Sequence, residues 1–213
     1  APLPFVAITC LQEVHAQAAA LLPATCTKLV VDQNVADMFM AGLLDTAVMP
    51  RKILFVGLNQ ITTMVLEALC RQAAQPFSAG IVTANSLETT QATADNRQLI
   101  DFHHFPALPD EAEGLQRAVA QFQPEAILVT QDWDDGELQT RDAATLLTLM
   151  HLQTAVDFNN TKVMAQLHSY GNVASLMDKL GAHIVVNDRN IVSSFMTQIN
   201  NLVNMTADEH HHK

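Results

Sequence analysis

The sequence predicts an α/β fold built on a doubly wound parallel sheet, and three observations lead there. Short β-branched runs alternate with longer amphipathic stretches along the whole chain of 213 residues, which is the order of a sheet with helices between its parallel strands. The amphipathic stretches repeat their apolar residues at three- and four-residue intervals, as helices do. A hydrophobic fraction of 49% with 15% charged residues excludes a disordered chain and suffices for one substantial core.

The elements follow in order. Residues 5–11 and 28–32 read as strands and residues 13–22 and 35–44 as helices, making a β-α-β-α leader. After Met49-Pro50-Arg51, strands are expected at residues 52–56 (KILFV), 78–83 (SAGIVT), 98–102 (QLIDF), 126–130 (AILVT), 162–167 (KVMAQL) and 183–186 (HIVV). Helices are expected between and after them at residues 61–72, 111–122, 140–153, 172–180 and 190–203. Pro109 with Asp110 opens one helix and Pro124 closes the approach to the next strand, both placed where proline costs little.

The leader resembles the end of the unit that follows it. Lys28-Leu29-Val30-Val31-Asp32 matches His183-Ile184-Val185-Val186-Asn187. With one residue of slack, Asn34-Val35-Ala36-Asp37-Met38-Phe39-Met40 falls on Asn190-Ile191-Val192-Ser193-Ser194-Phe195-Met196. Val6-Ala7-Ile8-Thr9-Cys10-Leu11 is similar in kind to Val163-Met164-Ala165-Gln166-Leu167. Such self-similarity marks an internal repeat. The chain therefore divides into residues 1–49, the closing half of a preceding unit, residues 50–205, a complete unit, and a tail at 206–213. The tail ends His210-His211-His212-Lys213 and reads as an appended remnant rather than a metal site; with Ala1 in place of Met, it suggests a piece of something larger.

Composition narrows the function classes. A formal net charge of −11 opposes binding to phosphate backbones, whose affinity comes from Lys and Arg, so no nucleic-acid partner is expected. Cys10, Cys26 and Cys70 are odd in number and lack C-x-x-C spacing, which suggests a reducing compartment rather than a disulfide framework or zinc site. No run reaches the length of a membrane helix.

Two loops carry candidate chemistry. Val56-Gly57-Leu58-Asn59-Gln60-Ile61-Thr62 stands where a dinucleotide-binding unit has G-x-G-x-x-G, whose glycines let the chain turn tightly and approach a pyrophosphate. Gly57 keeps the first place, while Asn59 and Thr62 take the other two; these are the candidate cofactor-binding residues, against a turn kept only for folding. Asn tolerates a left-handed backbone, whereas the bulk of Thr62 would crowd the helix start. The acid that holds ribose hydroxyls at the end of the next strand is missing from Thr83-Ala84-Asn85, and Glu88 lies further on.

The second loop, Gln131-Asp132-Trp133-Asp134-Asp135-Gly136-Glu137, gathers Asp132, Asp134, Asp135 and Glu137 at the carboxyl end of the sheet. Carboxylates at this density can supply oxygen ligands to calcium, although the spacing is not that of an EF-hand. The alternative is a solvated loop that places negative charge at the start of the next helix. His103 and His104 are adjacent on a strand end and point to opposite faces, which defeats joint chelation. His151 and His168 stand alone. No G-x-S-x-G elbow, phosphate-binding G-x-x-x-x-G-K-[ST] or H-E-x-x-H occurs, so an enzyme is not expected.

The segments Lys52-Ile53-Leu54-Phe55-Val56-Gly57, Ala126-Ile127-Leu128-Val129-Thr130 and Arg141-Asp142-Ala143-Ala144-Thr145-Leu146-Leu147-Thr148-Leu149-Met150-His151-Leu152-Gln153 resemble the RCK (TrkA-N-like) domains, which regulate potassium and other cation channels and transporters. Within that group the chain most resembles the Castor/Pollux-type ion channels, whose corresponding helix carries a similar Arg, Ala-Thr-Leu-Leu, Gln pattern after an acidic loop. Leu180-Gly181-Ala182-His183-Ile184-Val185-Val186, continuing to Phe195, is similar to the last strand and crossover helix of an RCK lobe. The resemblance covers residues 50–203. It implies a Rossmann-like cytoplasmic regulatory domain that senses a ligand, dimerises partly through its final helix and joins a gating ring. It further implies a pore-forming membrane segment, in the full-length protein or a partner subunit, and a tandem unit to which residues 1–49 belong. Where the family's nucleotide-binding members keep a glycine-rich turn, this chain has only Gly57, Asn59 and Thr62. Calcium at the acidic loop, a nucleotide or no ligand stay open, and a nicotinamide-nucleotide-dependent enzyme is the alternative function.

Overall fold

The structure, a computed structural model, describes residues 6–9, 27–45, 48–72, 74–87, 100–132, 138–167 and 184–187, with helical positions at 197, 200, 201, 204 and 205. Its elements are β1 (Val6–Thr9), β2 (Thr27–Val30), α1 (Val31–Leu44), β3 (Lys52–Val56), α2 (Gln60–Gln72) and β4 (Phe77–Thr83). They continue with β5 (Ile100–Pro106), α3 (Ala112–Phe122), β6 (Ala126–Val129), α4 (Leu138–Ala155), β7 (Lys162–Leu167) and β8 (Ile184–Asn187). The helices expected at 13–22 and 172–180, and most of the one at 190–203, lie outside the described residues.

Strands β3 to β8 form one all-parallel sheet in the order β5-β4-β3-β6-β7-β8. Within this sheet the path starts in the middle at β3, runs to one edge, returns, and runs to the other, which is the doubly wound, Rossmann-like arrangement. Side chains alternate across the sheet. Ile53, Phe55, Ala79, Ile81, Leu128 and Met164 face one core with α2, while Leu54, Val56, Val82, Ile127, Val129, Val163 and Ala165 face the other with α3 and α4.

That division follows from crossover handedness. Right-handed connections running outward from β3 through β4 to β5 place α2 on one face, and those returning through β6 to β8 place α3 and α4 on the opposite one. The first face is then left open beside α2, and α1 closes it. Val35, Ala36, Phe39, Met40 and Leu43 form a single stripe along α1 and are all buried, packed with Val65, Leu66, Leu69, Leu128 and Met164. Burying Phe39 alone contributes roughly 2–3 kcal/mol. The sequence sets residues 1–49 apart, yet α1 shares its core with the sheet that begins at Lys52. Strands β1 and β2 pair in parallel as a two-stranded sheet, as β7 and β8 do within the larger one.

Several boundaries differ from the sequence reading by a residue or more, and three of them have structural interest. The strand expected at 98–102 runs instead from Ile100 to Pro106, because it pairs along the full length of β4, from Phe77↔Ile100 to Thr83↔Pro106. It is an edge strand, so Asp101, His103 and His104 remain exposed and Pro106 can end it without breaking an inner ladder. Helix α1 starts at Val31 directly after Val30, where Val31 and Asp32 read as strand. The last strand is Ile184–Asn187, one residue later than expected. Helix α3 ends as its sequence suggests: Gln123 takes a left-handed conformation (φ 51°), its N–H bonds the Val119 carbonyl, and Pro124 follows. Among the described residues no helix is long and apolar enough to cross a membrane.

Candidate functional site

The carboxyl ends of β3, β4 and β6 meet where the strand order reverses, the place at which open α/β sheets bind ligands. The three fingerprint residues lie here. Gly57 has φ 110°, and a Cβ on it would stand 2.7 Å from the Gln131 carbonyl carbon, so only glycine fits between the β3 turn and the chain leaving β6. Its N–H continues the ladder to the Val82 carbonyl at 2.9 Å.

Asn59 caps α2. Its Oδ1 accepts from the N–H groups of Ile61 at 2.9 Å and Thr62 at 3.2 Å, and its Nδ2 donates to the Gln131 carbonyl at 2.9 Å. Thr62 does not crowd the helix start, contrary to expectation. Its side chain is buried, and its hydroxyl donates to the Gly57 carbonyl at 3.0 Å while accepting from the Asn59 N–H at 3.3 Å. The hydroxyl thus closes the turn from within, where a glycine would leave the Gly57 carbonyl to another donor. Asn59 and Thr62 are reciprocal caps, legible in the sequence as an N-cap residue followed three positions later by a hydroxyl.

Asp132 connects the two candidate loops. It follows β6, and its carboxylate reaches over the β3 turn to the end of β4. Oδ1 accepts from the Leu58 N–H at 3.0 Å and the Thr83 hydroxyl at 2.5 Å, and Oδ2 accepts from the Ala84 N–H at 3.1 Å. The Thr83 hydroxyl in turn accepts from the Asn85 N–H at 3.0 Å. A carboxylate that the sequence lacks at the end of β4 is thus brought there in space by the neighbouring loop, with its oxygens engaged by the β3 turn and the β4 end. Gln131 fixes the stem, since its backbone packs against Gly57 and its Nε2 donates to Thr145 Oγ1 of α4 at 3.2 Å.

Asp134, Asp135, Glu137 and Trp133 lie outside the described residues, as do Glu88 and His168. Among the described residues no group of three or more His, Cys, Asp or Glu side chains is arranged to hold a metal ion. His103 and His104 occupy opposite faces of β5: the His103 ring lies 5.5 Å from the Phe122 ring and its Nε2 2.8 Å from Asp101 Oδ2, while His104 Nε2 is 3.1 Å from the Thr83 carbonyl. His151 is half-buried on α4, away from these strand ends. Cys70 packs partly buried against the α1–α2 core, and Cys10 and Cys26 are outside the described residues.

No known family pattern matches the chain, and no curated protein does. A solved structure with some likeness is a DeoR family transcriptional regulator from Listeria monocytogenes, at 12% sequence identity and a TM-score of 0.40, covering 87% of this chain and 90% of that one.

Proposed function

We propose that the chain is a regulatory, ligand-sensing domain of a potassium or other cation channel or transporter, and not an enzyme. The observation that carries this reading is where the RCK-like segments fall. Lys52–Val56 and Ala126–Val129 are adjacent paired strands of the sheet, and the Arg141–Gln153 pattern lies wholly within α4. These three of the segments that carry the resemblance thus form one contiguous region beside the strand reversal. A second support is α1, which follows directly on β2 and packs on the larger sheet, as is expected if a preceding unit is joined in tandem.

In this reading the domain acts on the cytoplasmic side as a homo-oligomer, a dimer or a gating ring, joined to a pore-forming membrane segment of the full-length protein or a partner subunit. Ligand binding shifts the ring between conformations by the ligand's differential affinity for them. Calcium is the ligand to test first, at the acidic loop of Asp132, Asp134, Asp135 and Glu137. The alternative, a nicotinamide-nucleotide-dependent enzyme, has against it that Gly57, Asn59 and Thr62 are engaged in capping and that Asp132 sits on the turn.

Light scattering on the eluting protein over a range of concentrations tests the assembly, with a dimer or larger species expected. A strict monomer at high concentration, together with a reading frame and neighbouring genes that encode no pore segment, would sink the proposal. Calorimetric titration with calcium tests the ligand.

A further inference from the structure

We propose that Asp132 is a tethered anion: its carboxylate occupies the place a ligand's phosphate would take at the strand reversal and keeps phosphate-bearing small molecules out of the crevice. This inference concerns the crevice alone and stands apart from the channel reading.

In a doubly wound sheet an anionic ligand meets the backbone N–H groups of the turn after the first strand. Here the corresponding N–H, on Leu58, already has a carboxylate oxygen at 3.0 Å. The same carboxylate takes the Thr83 hydroxyl and the Ala84 N–H at the end of β4, where the sugar next to that phosphate would lie. Donors from two strand ends converge on one acidic group delivered from a third. All three are neutral, so they would serve a phosphate as readily as a carboxylate.

The two anions exclude each other. A phosphate oxygen on the Leu58 N–H would lie within about a hydrogen-bond length of Asp132, and like charges at that distance repel strongly in a partly buried site. The carboxylate is also held in reach by its stem, since the Gln131 carbonyl accepts from Asn59 Nδ2 and its side chain bonds Thr145. A tethered group of this kind competes at high effective concentration. A phosphate-bearing ligand therefore enters only by displacing Asp132, which makes the residue an internal competitor rather than a ligand contact.

The test compares the parent chain with Asp132→Ala and Asp132→Asn by calorimetric titration with pyrophosphate and with ADP. Amide resonances of Leu58 and Ala84 are followed in parallel, and circular dichroism melting establishes that each variant is folded. Asp132→Asn keeps the size and one acceptor for the Leu58 N–H, so it carries the test if the alanine variant does not fold. The expected result is a gain of at least about tenfold in pyrophosphate affinity for a folded variant over the parent, with shifts at both amides. The proposal is overturned if the parent binds as tightly as the variants, if folded variants bind no better, or if binding leaves the Leu58 and Ala84 amides unmoved. None of these results bears on oligomer size or on a pore segment, so the two proposals fail separately.

Discussion

Lys162 Nζ donates to the Gly42 carbonyl at 2.6 Å and reaches the Asp45 carbonyl at 3.4 Å, so the first residue of β7 caps the end of α1. The last turn of α1 has no basic residue of its own. The cation that its unpaired carbonyls and dipole favour comes from the larger sheet instead. Lys162→Met keeps most of the apolar stem and removes the ammonium, and it is expected to destabilise the chain by about 1 kcal/mol in urea denaturation. An unchanged midpoint would mean that solvent satisfies the helix end equally well.

Phe39 and Met38 are neighbours with opposite fates, the first fully buried and the second 41% exposed. Phe39→Ala should cost about 3–5 kcal/mol, whereas Met38→Ala should stay within about 0.5 kcal/mol. Equal effects in the same denaturation series would contradict the orientation of α1.

Removing residues 1–47 deletes the helix that covers Leu128 and Met164, whereas removing residues 1–26 leaves it in place. The longer deletion is expected to bind a hydrophobic dye and to lose its cooperative thermal transition, and the shorter one to keep it. A sharp transition in the longer deletion would show that the sheet holds without α1.

Gly57→Ala forces a side chain into a left-handed backbone and against the Gln131 backbone. A loss of at least about 2 kcal/mol is expected. Thr62→Gly, although it restores the fingerprint glycine, should also destabilise, by about 1–2 kcal/mol, through the lost hydroxyl bond to the Gly57 carbonyl and the cost of glycine in a helix. It should not confer nucleotide binding, because Asp132 remains in place; thermal shifts with NAD and ADP check this.

Much of the sheet was legible because buried parallel strands such as Ile53–Val56 and Ala126–Val129 are apolar on both faces. The edge strand was harder, since His103 and His104 lack that signature and only pairing with β4 brings them into the ladder. The stripe of Val35, Phe39 and Leu43 identified a helix but not its partner, because an amphipathic face reads alike whichever sheet it covers. In the site, Gly57 and the Asn59 cap could be found from local spacing. The reach of Asp132 to Leu58, Thr83 and Ala84 could not, because side-chain bonds across the sheet leave no periodic trace. The same holds for Lys162 and Gly42.

Strand β2 ends at Val30 and α1 begins at Val31 without an intervening loop. A helix is stiff along its axis, and this one is clamped at its far end by Lys162 and along its side by the apolar stripe. Any displacement of β2 has no slack segment in which to dissipate before it reaches the sheet. With no loop at the junction and Lys162 of β7 bonded at the other end of the helix, α1 is the direct covalent and hydrogen-bonded connection from β2 to the larger sheet, and a shift of β2 is expected to be carried along it.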